Sequence, residues 1–370
     1  MRLRLRLAAG FLPGLILGTI LAMIPVCATA QPAGSATLLV LSKQDHALVI
    51  VDPASLQVLA RVPVGDDPHE VSASSDGKTA YVSNYGFGQF HTLTVVDLVN
   101  RKLEKTVDLL PLKGPHGLDF VDGKLWFTVE VNKAIGRYDP ESGKVDWVLG
   151  TGQNRTHMIY VFSGSKRILT TNVNAATVSI MDWSERPAGM PQGPPPGMPD
   201  GQGPPPGMPQ GMPPGPPPGP PGGDWNETVV PVGRGSEGFD VSPDGAQAWV
   251  ANAGDGTISV IDIAQKKVTA TLAANARGAN RLKFAPDGKL ALVSAGPNLV
   301  IFDVATQKEI KRIAIGHGSG GVLMQPDGAR AYVACSGDDY VTVIDLKTLE
   351  IVGKVVVGKT PDGLSWAVGR

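Results

Sequence analysis

Residues 242–262 read SPDGAQAWVANAGDGTISVID, and this stretch decides the fold. Asp244-Gly245 marks a tight hairpin, because Asp and Gly tolerate the positive φ such a turn needs. WVAN (249–252) and the alternating run that closes on Asp262 flank a short loop and read as two strands. The same closing Asp recurs at Asp52 (VIVD), Asp97 (VVD), Asp139 (IGRYD), Asp182 (SIMD), Asp303 (IFD) and Asp345 (VID). Successive intervals are 41–45 residues except the 80 between Asp182 and Asp262. That gap contains a Pro/Gly-rich tract of 38 residues, 186–223, without which the interval is 42. A period of about 40 residues built from short strands is the mark of a propeller blade. Seven closing Asp residues predict an all-β, seven-bladed propeller of four-stranded antiparallel blades.

Each unit has one grammar. A first strand leads to an Asp-Gly turn (SSDGK at 74–78, SPDG at 242–245, APDGK at 285–289, QPDG at 325–328). A second strand follows, such as YVSN (81–84), FTVE (127–130), LTTN (169–172) or YVAC (332–335), then the strand with the closing Asp and a short β-branched fourth strand. The ends complement each other: TLLVLS, ALVIVD and VLARVPV near the start lack a first strand, and residues 363–368 supply one. Pairing the two ends closes the ring and removes a free sheet edge.

These units resemble the YVTN-type β-propeller repeat through PDG-x3-YV/WV-x-N followed by x-V-x-V-I-D, a likeness covering nearly all of residues 36–370 outside the tract. The segment GPHGLDFVDGKLWFTVEVNKAIGRYDP (114–140) additionally resembles the streptogramin (virginiamycin B) lyase propellers. The first resemblance implies an envelope or surface-layer protein, a periplasmic protein that binds single-stranded DNA, or a relative of redox enzymes. The second implies His and acidic residues at the channel mouth around a divalent ion.

Composition narrows the setting. Arg2, Arg4 and Arg6, an apolar stretch over residues 7–24 and Ala28-Thr29-Ala30 make residues 1–30 a cleavable signal peptide, so the protein is expected in the periplasm, at the cell surface or outside the cell. Its loss leaves 30 basic against 34 acidic residues and no transmembrane segment. Mild acidity gives no global drive toward nucleic acid. Only Cys335 then remains, so no intramolecular disulfide forms, and its place in YVAC predicts a buried, inert thiol.

Counting back from the Asp-Gly turns, and aligning the second and third blades, whose turns vary in length, on the flanking pattern PHEV, PHGL, THMI, finds the residue that opens each innermost strand: His69, His116, His157, Glu237, Asn280, Gly320 and Asp362. Three successive blades therefore present His at one side of the channel mouth. His46, His91 and His317 fall in loops on the same face. Three readings follow. The first is a divalent-metal site with His69, His116 and His157 as ligands, since imidazoles with a carboxylate leave a coordination position open. The second is a binding rim of Arg155, Arg234, Arg277, Asn280, Asp362, Lys113 and Lys359, with Tyr85, Phe87 and Phe90 projecting from the loop NYGFGQFHT. The third is structural: Pro and a polar residue hold a turn by bonding nearby backbone.

The tract holds 17 Pro and 11 Gly among its 38 residues, too little apolar surface to fold. It falls in a third-to-fourth strand turn, on the face opposite the His residues. It reads as a tether, a ligand for a partner, or an inert spacer. Its Met190, Met198, Met208 and Met212 are thioethers of the kind that favour Cu(I). Taken together, the sequence predicts an exported, monomeric propeller. It would bind a ligand or envelope protein through a His/Arg-bearing mouth. The alternative is a metal-dependent lyase or lactonase-like enzyme with Glu237 or Asp67 as general base.

Overall fold

The computed structural model describes residues 36–185 and 222–368. The predicted signal peptide and residues 186–221 of the Pro/Gly tract lie outside them. Within the described residues the chain forms seven sheets of four strands. Blade 1 consists of Pro68–Ala73, Thr79–Asn84, Thr92–Asp97 and Lys102–Asp108, paired antiparallel in that order. Blades 2 to 6 repeat the pattern over residues 115–150, 156–231, 236–273, 279–314 and 319–356. Blade 7 closes the ring as expected: Pro361–Val368 pairs with Ala36–Ser42, which continues to Ala47–Val51 and Val58–Pro63. First strands touch the first strands of both neighbouring blades all the way round, so they form the innermost ring.

The apolar core lies between blades. Second strands are almost wholly buried, whereas fourth strands, at the circumference, are mostly exposed or half-buried. Trp249, Phe284 and Phe302 join blades 4 and 5, and Tyr81, Phe127 and Tyr138 join blades 1 and 2. Each such side chain contributes about 2–3 kcal/mol of burial, which lets a chain without disulfides hold together. Cys335 is among these core residues, fully buried.

The closing Asp that revealed the period is a turn lock. Carboxylates of Asp52, Asp97, Asp139, Asp262, Asp303 and Asp345 accept backbone N–H groups two or three residues on, at 2.7–3.0 Å. Asp182 departs from this because its blade has no tight turn there; it pairs with Arg167 and Lys266. The tract proves two residues shorter than the composition suggests. Gly223 already pairs with Glu185, in a ladder extended to nine residues per strand.

Candidate metal and ligand site at the channel mouth

A β-bulge opens every first strand. In blade 1, Pro68 pairs with Asn84 and Val71 with Val82, so His69 and Glu70 together face Ser83. The same shift places His116-Gly117, His157-Met158, Glu237-Gly238, Asn280-Arg281, Gly320-Gly321 and Asp362-Gly363 in bulges. A bulge re-aims side chains, and here it sets one residue per blade at the mouth. Blades are tied together at these points. Ser83 Oγ receives the Glu70 N–H at 3.1 Å and donates to the His116 carbonyl at 2.9 Å. Thr128 Oγ1 receives the Gly117 N–H at 2.9 Å and donates to the His157 carbonyl at 2.5 Å. Gly117 is glycine because a Cβ there would lie 2.6 Å from that same carbonyl oxygen.

The three imidazoles form a row with His116 in the middle, its centroid 4.3 Å from His69 and 3.8 Å from His157. None bonds backbone, so the structural turn reading does not account for them. They do not make one three-His set either. Potential ligand atoms fall into two groups that share His116, one with His69 and Glu70 and one with Glu130 and His157, each spanning no more than 4.8 Å. His116 is fully buried, and neither ring nitrogen has a hydrogen-bond partner. Burial, then the neighbouring His157 and His69, hold its pKa well below the usual range, so it is neutral. Neutral imidazole is the metal-ligating form.

His157 is the opposite case. Its Nδ1 lies 2.5 Å from Glu130 Oε1, and its Nε2 lies 2.8 Å from Glu237 Oε2 in an arrangement too bent for a hydrogen bond. Burial opposes charge on this ring, but the Glu130 bond and the Glu237 charge outweigh it and raise its pKa. Glu237 is held down to about 2; burial opposes this, and His157, Arg155 and Arg281 overcome it. Such a carboxylate stores charge and is a weak general base at neutral pH. Asp67, the other proposed base, is occupied in structure: it accepts the Gly86 N–H at 2.8 Å and pairs with Lys43 at 3.1 Å.

Asp362 sits 3.0 Å from His69 Nδ1 and 3.4 Å from Lys43, and Arg281 pairs with Glu70 across the channel. Arg155 turns inward to Glu130 and Glu237, both at 3.3 Å. The mouth thus gathers five carboxylates (Asp67, Glu70, Glu130, Glu237, Asp362) against Lys43, Arg155 and Arg281. It carries two surplus negative charges with neutral His, or one with His157 protonated.

Other predicted rim residues stand apart. Arg234 is exposed and pairs with Asp255 at 2.7 Å, Arg277 is exposed, and Asn280 accepts from Arg281. Phe87 is 83% exposed, as a projecting residue should be. Tyr85 does not project; it is buried, edge-on to His69 and His116, and donates to Glu130. His46, His91 and His317 each sit at the surface beside an Asp, at 3.3, 2.9 and 3.0 Å.

Glu70, Glu130 and Arg281 escaped the sequence reading, yet each departs from the repeat. Glu130 ends FTVE where three blades have Asn, and those Asn residues bond Thr or Ser within their own blade. Glu70 and Arg281 occupy bulge positions held by Gly in four blades.

No protein-family model and no curated protein matches the chain. Solved structures do. A functionally unknown protein from Desulfotomaculum acetoxidans is 14% identical, with a TM-score of 0.67 over 89% of this chain and 98% of its own. A candidate 6-phosphogluconolactonase from Bacteroides uniformis is 14% identical, TM-score 0.67, over 90% and 100%. Hydrazine synthase from Kuenenia stuttgartiensis is 16% identical, TM-score 0.64, over 84% and 92%. At these identities the likeness is one of fold, and the chain is a seven-bladed propeller of this architecture.

Proposed function

We propose that the channel mouth binds a divalent metal ion through His116, and that the protein acts as an exported binding protein through that site. His116 carries this reading: a fully buried imidazole with two unpartnered nitrogens sits where two His/Glu groups meet. Buried polar atoms are rarely left unpaired, since each costs about 1–3 kcal/mol, and a metal ion would supply the missing partner. Two imidazoles and a carboxylate form a known zinc-type donor set. The surplus negative charge of the mouth favours a cation as well. Arg277 and Phe87 are exposed around the rim to meet a ligand or envelope partner, as is Arg234 in its pair with Asp255. The YVTN-type likeness of the repeats is consistent with such a role.

Equilibrium dialysis of metal-free protein against Zn(II), Co(II) and Cu(II) tests the reading. About one tightly held ion per chain is expected, lost in His116→Phe and retained in Arg234→Ala. Equal binding by wild type and His116→Phe would overturn it.

A second reading is a metal-dependent lyase or lactonase-like enzyme. It is favoured by His157, which lies between two carboxylates and can hold a proton at the mouth, and by the candidate lactonase among the structural neighbours. Metal-dependent turnover of a lactone that His116→Phe abolishes would support it. No turnover by metal-loaded protein would leave the binding role alone.

A further inference from the structure

We infer that a tryptophan-lined groove between blades 2 and 3 is the docking site for the chain's own Pro/Gly tract. Four of the six Trp residues of the chain converge there: Trp126 and Trp147 from blade 2, Trp183 and Trp225 from blade 3. Consecutive ring centroids lie 5.3, 5.6 and 5.7 Å apart, each pair tilted or edge-on, so faces and edges stay open along the row. Trp126 is buried and the other three are half-buried, around a cavity of about 380 Å³. Arg137 lies over Trp126 at 5.2 Å, is fixed by Asp146 at 2.8 Å, and borders the groove together with Lys166. This cluster plays no part in the channel-mouth site.

The occupant follows from where the tract leaves the fold. Trp183 and Trp225 are cross-strand partners, and two residues further the same ladder ends at Glu185 and Gly223, the points between which residues 186–221 run. Third strands elsewhere have five or six residues; this one has nine, which carries the exit past the groove. The 36 residues include 17 Pro and no aromatic residue, and QGPPPGMP occurs twice, at 192–199 and 202–209. Pro-rich runs favour polyproline II, whose pyrrolidine rings dock in aromatic-lined grooves at low entropic cost. Reach is ample: Pro194 is nine residues from Glu185, up to ~28 Å at ~3.1 Å per residue. From 187 to 221 the only charged residue is Asp200, and the groove's own cations are already paired, Arg137 with Asp146 at 2.8 Å and Lys166 with Glu185 at 2.7 Å, so recognition rests on ring-to-ring packing of proline on tryptophan.

The test uses the full chain with Pro→Ser at 194–196, 204–206 and 216–218, beside wild type. Acrylamide quenching of tryptophan fluorescence should rise in the Ser variant, because the groove opens. A labelled QGPPPGMPD peptide should bind that variant saturably. In the intact chain the tethered tract, at an effective concentration on the order of 1 mM, should weaken a peptide of ~100 μM Kd about tenfold. Trp147→Ala in the Ser variant, shown folded by its thermal transition, should lose the peptide. Unchanged quenching together with no peptide binding would overturn the inference. Protection that grows with protein concentration would overturn it too, by placing the tract on a second copy.

Discussion

Gly117→Ala should destabilise the protein by about 1–3 kcal/mol, through a contact between blades and without touching any side chain of the site. A Cβ at 117 would lie 2.6 Å from the His157 carbonyl oxygen, 2.9 Å from Met158 Cα and 3.0 Å from Ile159 N. All three are backbone, so no flexible side chain can yield. Reaching even 3.0 Å requires blades 2 and 3 to part by about 0.4 Å there, against the Thr128 bond that holds them. Gly150→Ala in the same blade is the control, since its Cβ meets nothing within 4 Å. That change should be neutral or slightly stabilising, by roughly 0.4–1 kcal/mol from reduced unfolded-state entropy. In a domain of this size 1 kcal/mol moves Tm by roughly 2–4 °C, so the two variants should differ by several degrees in a thermal melt followed by circular dichroism. Equal Tm values would refute the idea that the Gly after the mouth residue exists for close blade packing. His157 should also shift, so metal affinity should fall in Gly117→Ala and hold in Gly150→Ala.

Further outcomes can be checked alongside. Thr128→Val keeps shape but removes the hydroxyl that serves Gly117 N–H and the His157 carbonyl, and should cost about 2 kcal/mol in chemical denaturation. Glu130→Gln should lower metal affinity about 10–100-fold by dialysis, whether Glu130 binds the ion directly or orients His157. Asp119 faces the lower channel, where burial raises its pKa to about 6. The folded state therefore holds its proton more tightly than the unfolded chain. Stability from this group is complete below about pH 4 and lost as pH rises through 6. The full shift corresponds to about 3 kcal/mol, reduced to roughly 1–2 because Asp119 is only half-buried. Asp119→Asn should remove that difference between pH 4 and pH 7 in paired unfolding curves.

Much of this was legible in the chain. The closing Asp and the Asp-Gly turns are local devices, so spacing alone gave seven blades and the ring closure. Most mouth residues were found the same way, because the bulge stands seven residues before the Asp of its turn in four blades; where the turns vary, the flanking patterns PHEV, PHGL and THMI gave the alignment. Glu130, Glu70 and Arg281 were hidden by counting only the strand-opening residue. Their signal was breakage of the repeat, a Glu where Asn belongs and charged residues where Gly belongs. Tyr85 was misplaced because the loop NYGFGQFHT looks exposed by composition, and only the fold shows Tyr85 turning inward to Glu130. The division of the His row into two groups depends on ring orientation, which no spacing encodes. The Trp groove was likewise invisible, since its four residues come from four different strands.

The most direct measurement is an anomalous-difference map from crystals of the protein loaded with Co(II). A peak about 2.0–2.1 Å from a His116 ring nitrogen, completed by His69 and Glu70 or by His157 and Glu130, is the predicted result. Peaks only at the surface residues His46, His91 or His317, with His116 bare, would contradict it.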